Sequence, residues 1–170
     1  CHNRFEHSLG VYHLSKQYMT ILGKDYFTDK EYELVATSAL IHDIGHGPFS
    51  HLFDELTESK HEERSIQLFI HMNDKYKFGY SEEDILCIRD MIDPKNIEEK
   101  EKQYLYQIVS NKNGIDVDRF DYIMRDIKMI GLNYGIEWLR IMKGSKIHNQ
   151  KIIYSDKVKI PIEDFFRTRY

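Results

Sequence analysis

Apolar side chains recur at helical spacing along most of the chain. Over residues 5–22, Val11, Leu14 and Tyr18 fall three or four positions apart on one face with His7. Asn3 and Glu6 have the form of a capping box ahead of that helix. Thr28 and Glu31 repeat the pattern before a second helix, whose stripe is Leu34, Ser38 and Ile41 with Ala39 and Leu40 beside it. Gly45, Gly47 and Pro48 are successive breakers, so this helix ends near Gly45 with His42 and Asp43 on its last turn. A short helix is predicted through Phe49–Asp54. Ser59 with Glu62 marks the next start, with Ile66, Phe69 and Ile70 on its face. Ser81 with Asp84 opens another, carrying Ile85, Ile88 and Ile92 and closing before Pro94.

The stretch 93–103, "DPKNIEEKEKQ", is polar and charged and reads as a mobile, solvated loop. Helices resume at Tyr104–Val109, at Val117–Ile130 with Val117, Phe120, Met124 and Ile127 inward, and at Ile136–Met142. Only 147–160 changes character, suggesting two or three short strands with turns at Asn149 and Ser155, before Pro161 opens a final helix. With no repeat or dividing linker, the expectation is one mainly α domain with a small β excursion near 147–160.

Composition narrows the class. The 170 residues are 41% hydrophobic with no run near the roughly 20 apolar residues that span a bilayer, so no membrane segment is expected. A net charge of −4 gives no general attraction to nucleic acid, and a local basic patch around Lys112, Arg119, Arg125 and Lys128 leaves that partner open. Cys1 and Cys87 form no CxxC pair, which argues against thiolate zinc and for a reducing, intracellular compartment, cytoplasmic or nuclear.

Histidine is what stands out: five of the nine fall within 42–71. The stretch "ALIHDIGHGPFSHLFDE" sets His42, Asp43, His46, His51 and Asp54 directly behind a buried helix. A His-Asp pair alone is weak, since composition gives roughly 0.7 by chance. Here, however, both side chains lie where core gives way to cleft, and a dehydrated carboxylate is costly unless paired or metal-bound. His7 on the core face of the first helix and Asp118 at the start of the Val117–Ile130 helix would complete a His2Asp2 shell with room for water. Such a shell suits Mn²⁺, Fe²⁺, Mg²⁺ or catalytic Zn²⁺, and lowers the pKa of water. Plainer roles exist for each residue: His7 bonded to a carbonyl, Asp43 paired with Arg4, and Asp118 or Asp116 as a helix N-cap.

"HNRFEHSLGVYHL", "LIHDIGHGPFSHLFD", "HEERS", "SNKNGIDVDRFDYIMRD" and "FFRTR" together resemble the successive motifs of HD-domain deoxynucleoside triphosphate triphosphohydrolases, of the type in which a sterile-alpha-motif domain precedes the HD domain. The resemblance covers most of 1–143 and returns at 165–169. It implies an HD helical bundle, here 1–170 and incomplete at both ends. It also implies that His7, His42, Asp43 and Asp118 are the metal ligands, that Arg4, Arg119 and Arg169 contact phosphate, and that Tyr122 and Asp126 hold the sugar. His46, His51, Asp54 and His61 match positions at the reacting phosphate. His51 is the choice for general acid, with Asp54 orienting it and raising its pKa; His46 and His61 would bind phosphate or a second divalent ion. The implied reaction converts a deoxynucleoside triphosphate, dGTP among them, to the deoxynucleoside and inorganic triphosphate. Allosteric nucleotides and a homo-oligomer are implied for the longer protein. The chain departs from the pattern at Arg119, Phe120 and Arg167, where relatives carry Lys, Trp and His. The alternatives are a related phosphohydrolase of nucleoside monophosphates or cyclic nucleotides, and a nucleotide-binding or nucleic-acid-binding module without turnover.

Overall fold

A computed structural model of the chain describes residues 2–132 and 135–168. Helices α1 (Arg4–Leu22), α2 (Asp29–Ile41), α3 (His51–Thr57), α4 (His61–Tyr76), α5 (Glu82–Ile92), α6 (Gln103–Tyr106), α7 (Val117–Met129), α8 (Trp138–Lys143) and α9 (Lys159–Thr168) follow in order. Strands β1 (Ser145–His148) and β2 (Lys151–Tyr154) form an antiparallel hairpin between α8 and α9. The fold is mainly α with one small hairpin, as the periodicity predicts.

Local chemistry sets most helix starts. Asn3 and Glu6, Thr28 and Glu31, and Ser81 and Asp84 each form the reciprocal capping box, satisfying two otherwise unpaired backbone donors. The start at Ser59 is different. The N-cap is Lys60, without a side-chain cap, and Ser59 instead accepts from Arg64. That guanidinium also donates to the carbonyls of Gly45 (2.8 Å) and Ser59 (3.0 Å), and this demand outcompetes a local cap. The short third helix begins two residues later than predicted, because Phe49 and Ser50 adopt left-handed φ of 64° and 55°.

The core is built on α1, which packs against α2 and α7, while α2 packs on α5 and α5 on α4. Val11, Tyr18, Met19, Val35, Ile88, Met91 and Phe120 are fully enclosed. α9 is locked on by Phe165, whose ring meets Phe120 edge-on at 5.2 Å. Burying one such ring is worth about 1.5–3 kcal/mol. In α7 the inward set is Val117, Phe120, Ile123 and Ile127, and Met124 is only half-buried.

The 93–103 segment is pinned rather than loose. Ile97 is buried in a turn of 3-10 helix, Lys100 pairs with Asp90 at 2.6 Å and Lys102 with Glu31 at 2.6 Å. The predicted helix at Tyr104–Val109 shortens to α6, which receives the hairpin turn through Tyr104 N–H to Gln150 C=O, 2.9 Å. Asn149 and Gln150, at φ 47° and 64°, make that two-residue turn. Ser155 makes no third strand; it caps a short 3-10 helix that leads into α9. Pro161 is the third residue of α9, a position that needs no intrahelical N–H partner.

Candidate metal centre and phosphate site

Three segments converge on one end of the α1–α2–α7 core. α1 brings Arg4 and His7, one turn apart on its first two turns. The C-terminus of α2 and the following turn bring His42, Asp43 and His46. α7 brings Asp118 and Tyr122. Asp116, fully buried, is the N-cap of α7: it accepts from the N–H groups of Arg119 and Asn111, both at 2.9 Å. With the cap supplied two residues earlier, Asp118 is left to face the imidazoles.

The turn after α2 is held by buried polar contacts. Ser65 Oγ on α4 donates to the His42 carbonyl (2.8 Å) and accepts from Gly45 N–H (2.9 Å). Gly45 lies so close to α4 that a Cβ there would sit 2.3 Å from both His61 O and Ser65 N. This contact carries His61 onto His46, and their rings stack at 3.8 Å.

Within this frame His7 Nε2 lies 3.3 Å from His42 Nε2, 3.0 Å from Asp118 Oδ1 and 3.7 Å from Asp43 Oδ2. His42 Nε2 is 3.4 Å from Asp118 Oδ1 and 3.6 Å from Asp43 Oδ1. The outer nitrogens fix the tautomers. His42 Nδ1 meets the Ala39 carbonyl and His7 Nδ1 the Asp121 carboxylate, each at 2.8 Å; both partners only accept, so both Nδ1 atoms donate. In the neutral rings, therefore, two Nε2 lone pairs and two carboxylates face one small volume, a set that needs a cation or a proton. The residues fit a divalent ion of borderline hardness. Burial opposes charge on His7, but hydrogen bonds to Asp118 and Asp121 outweigh it and raise its pKa to about 9. Burial favours neutral Asp43, yet the hydrogen bond from His46 and the charge of His42 hold it at about 2.

Arg4 donates to Asp43 and to Ser50, so the plainer role considered for Asp43 is present beside its place among the imidazoles. A second cluster adjoins the first through Asp43 Oδ1, 3.3 Å from His46 Nε2. His46 Nδ1 is buried with no hydrogen-bond partner among the described residues. Asp54 accepts from His61 Nδ1 at 2.8 Å and from Arg64, whereas His51 Nδ1 is 3.6 Å away on a largely exposed ring. Asp54 therefore lies nearer to His61 and Arg64 than to His51, and against the effect of burial these two hold it well below the usual carboxylate range. A cavity of about 550 Å³ opens over both clusters, with Arg4, His7, His46, His51, His61 and Tyr122 in its wall.

Other expected residues lie apart. Arg119 turns away from the cavity onto Asp116 and the Asn111 carbonyl, because a fully buried carboxylate demands a cation. Asp126 is exposed outside the cavity wall, with His2 Nδ1 3.7 Å away. Arg169 falls outside the described residues. Reading the sequence missed Ser65, Arg64 and Asp121. Arg64 and Ser65 stand in the motif "HEERS", and Asp121 stands three residues after Asp118, hence on the same side of one helix.

The sequence model of the HD domain matches residues 4–126, which contain all four residues around the imidazole pair. The chain belongs to the HD domain family. The deoxynucleoside triphosphate triphosphohydrolase SAMHD1 homolog of Dictyostelium discoideum is 36% identical over 182 residues, covering 99% of this chain and 35% of that protein. The deoxynucleoside triphosphate triphosphohydrolase SAMHD1 of Gallus gallus is 37% identical over 205 residues, covering 99% and 33%. The HD domain described here thus spans about a third of the length of these curated relatives. A crystal structure of a phosphohydrolase from Bacteroides thetaiotaomicron matches with a TM-score of 0.83 at 32% identity, covering 99% of this chain and 40% of that one. No helix among the described residues is long and apolar enough to cross a membrane.

Proposed function

We propose that this HD domain is the catalytic core of a divalent-metal-dependent triphosphohydrolase that cleaves deoxynucleoside triphosphates into deoxynucleoside and inorganic triphosphate. The observation that carries the reading is the convergence of His7 Nε2, His42 Nε2, Asp43 and Asp118, with both imidazoles held in the tautomer that turns a lone pair inward. These four residues would hold the ion. When bound, a divalent ion polarises a phosphoryl oxygen and makes water a better nucleophile at neutral pH.

The remaining groups divide the work around the α-phosphate. Arg4, exposed enough to swing, exchanges Asp43 and Ser50 for phosphate oxygens, which its fork fits as well as it fits a carboxylate. His46 and His61, stacked and beside Asp43, face the phosphate chain or a second ion. His51 at the rim gives its proton to the 5′-oxygen as the phosphorus–oxygen bond breaks; closing from 3.6 Å onto Asp54 would complete its orientation. Tyr122 in the cavity wall, and Asp126 beyond it, are the groups for the sugar. Arg119 leaves the phosphate set, because Asp116 holds it. Allosteric nucleotides and self-assembly belong to the longer protein in the same reading.

Phosphorus NMR of dGTP incubated with the full chain and Mn²⁺ tests the reaction, beside an Asp43→Asn control. Inorganic triphosphate from the parent and none from the control is the expected result. Orthophosphate alone, or no product with metal bound, would sink the triphosphohydrolase reading and favour a monophosphate substrate or binding without turnover.

A further inference from the structure

The imidazole of His7 is held from both sides by one helix. Asp118 on α7 meets its Nε2, and Asp121, one turn on, meets its Nδ1 at 2.8 Å. Asp121 Oδ2 also accepts from Arg125 Nε at 2.6 Å, a further turn along. Asp121 is nearly enclosed, and its route to His7 passes Gly10, which shares the His7 face of α1 one turn later. A Cβ at Gly10 would lie 1.9 Å from Asp121 Oδ1 and 2.5 Å from Arg125 Nη2. A glycine in the middle of a 19-residue helix costs roughly 1 kcal/mol of helix propensity relative to alanine. Here it makes the notch through which the carboxylate reaches the ring.

We infer that Asp121 is a positioning residue: it fixes His7 as the Nδ1–H tautomer so that Nε2 is delivered to the metal, with Gly10 admitting the carboxylate and Arg125 holding it in place. This rests on His7 being a metal ligand and adds the group that makes it one. A carboxylate behind a ligating histidine sets ring orientation and raises ligand basicity, and its loss typically weakens metal affinity about 10–100-fold.

The test is Mn²⁺ affinity of the full chain by chelator competition, for the parent, Asp121→Asn, Asp121→Ala and Gly10→Ala, with nitrogen-15 NMR of the histidines in the proteins loaded with diamagnetic Zn²⁺. Asp121→Ala is expected to bind Mn²⁺ about 10–100-fold more weakly. Asp121→Asn, which keeps an acceptor, falls between it and the parent. Gly10→Ala also weakens binding, although alanine favours the helix, because the new Cβ pushes the carboxylate off His7. The NMR spectrum of His7 loses its single Nδ1–H form in Asp121→Ala. A parent that binds Mn²⁺ and variants that match it within twofold, with His7 unchanged, would overturn the role of Asp121 while leaving the metal centre standing. A parent that binds no Mn²⁺ would overturn both.

Discussion

Replacing Ser65 with alanine tests the scaffold under the site. Its hydroxyl is wholly buried and joins the His42 carbonyl to Gly45 N–H at 2.8 and 2.9 Å. Alanine is smaller by a single oxygen, so the packing loss is minor; the cost is one donor and one acceptor left unpaired. Each such group costs about 1–3 kcal/mol, and partial relaxation of the turn makes about 2–4 kcal/mol the expected total. Against a domain stability of about 5–15 kcal/mol that is a large share, and it corresponds to a fall in Tm on the order of 4–16 °C. Urea unfolding should show the midpoint moving down at unchanged slope. Ser15→Ala is the internal control. Ser15 is equally buried, but among the described residues its hydroxyl bonds only the Tyr12 carbonyl at 2.8 Å, a group inside α1 with a ladder partner of its own. That variant should lose under about 1 kcal/mol. Equal losses in the two serine variants, or a loss below about 0.5 kcal/mol at Ser65, would refute the account of the turn.

Gly45→Ala should cost about 1–3 kcal/mol and loosen Mn²⁺ binding, because its Cβ meets two backbone atoms at 2.3 Å; thermal unfolding and metal titration check it. Arg4→Ala should split two readouts. Under the proposed function its guanidinium competes with metal for Asp43 and grips phosphate during turnover, so Mn²⁺ affinity should rise while kcat/KM for dGTP falls about 10–100-fold, the worth of a charge-assisted hydrogen bond. Saturating Mn²⁺ at about 100 times Kd should raise stability by about 2.7 kcal/mol in calorimetry, and Asp43→Asn should remove that increment. Glu31 governs part of the acid limb. Burial disfavours its charge, but Lys102 and the Thr28 N–H outweigh this and lower its pKa from 4.5. A depressed carboxylate stabilises the fold above the unfolded value, and that stability fades as pH falls through the lower folded value. Glu31→Gln should therefore flatten stability below about pH 4.5, as followed by urea midpoints across pH.

The sequence was most legible where the determinants are local. The pairs at 3 and 6, 28 and 31, and 81 and 84 all cap helices, since a capping box is closed within four residues. His7, His42, Asp43 and Asp118 could be brought to one place because each followed from helix phase or from a breaker. Ser59 and Glu62 show the limit: the same local pattern yields to Arg64, whose carbonyl partner Gly45 is nineteen residues away. The 93–103 segment looked solvated because its charges were legible and their partners, Asp90 and Glu31, were not. Arg119 likewise looked available for phosphate until the complete burial of Asp116 accounted for it.

Asp43 presents Oδ2 to His7 and Arg4, and Oδ1 to His42 and His46. A single planar group is therefore the common wall of two compartments. Rotating it to suit one neighbour turns it away from another, so whatever enters one compartment changes what the other feels. By thermodynamic reciprocity, ion and phosphate should strengthen or weaken each other by the same factor, in whichever order they arrive.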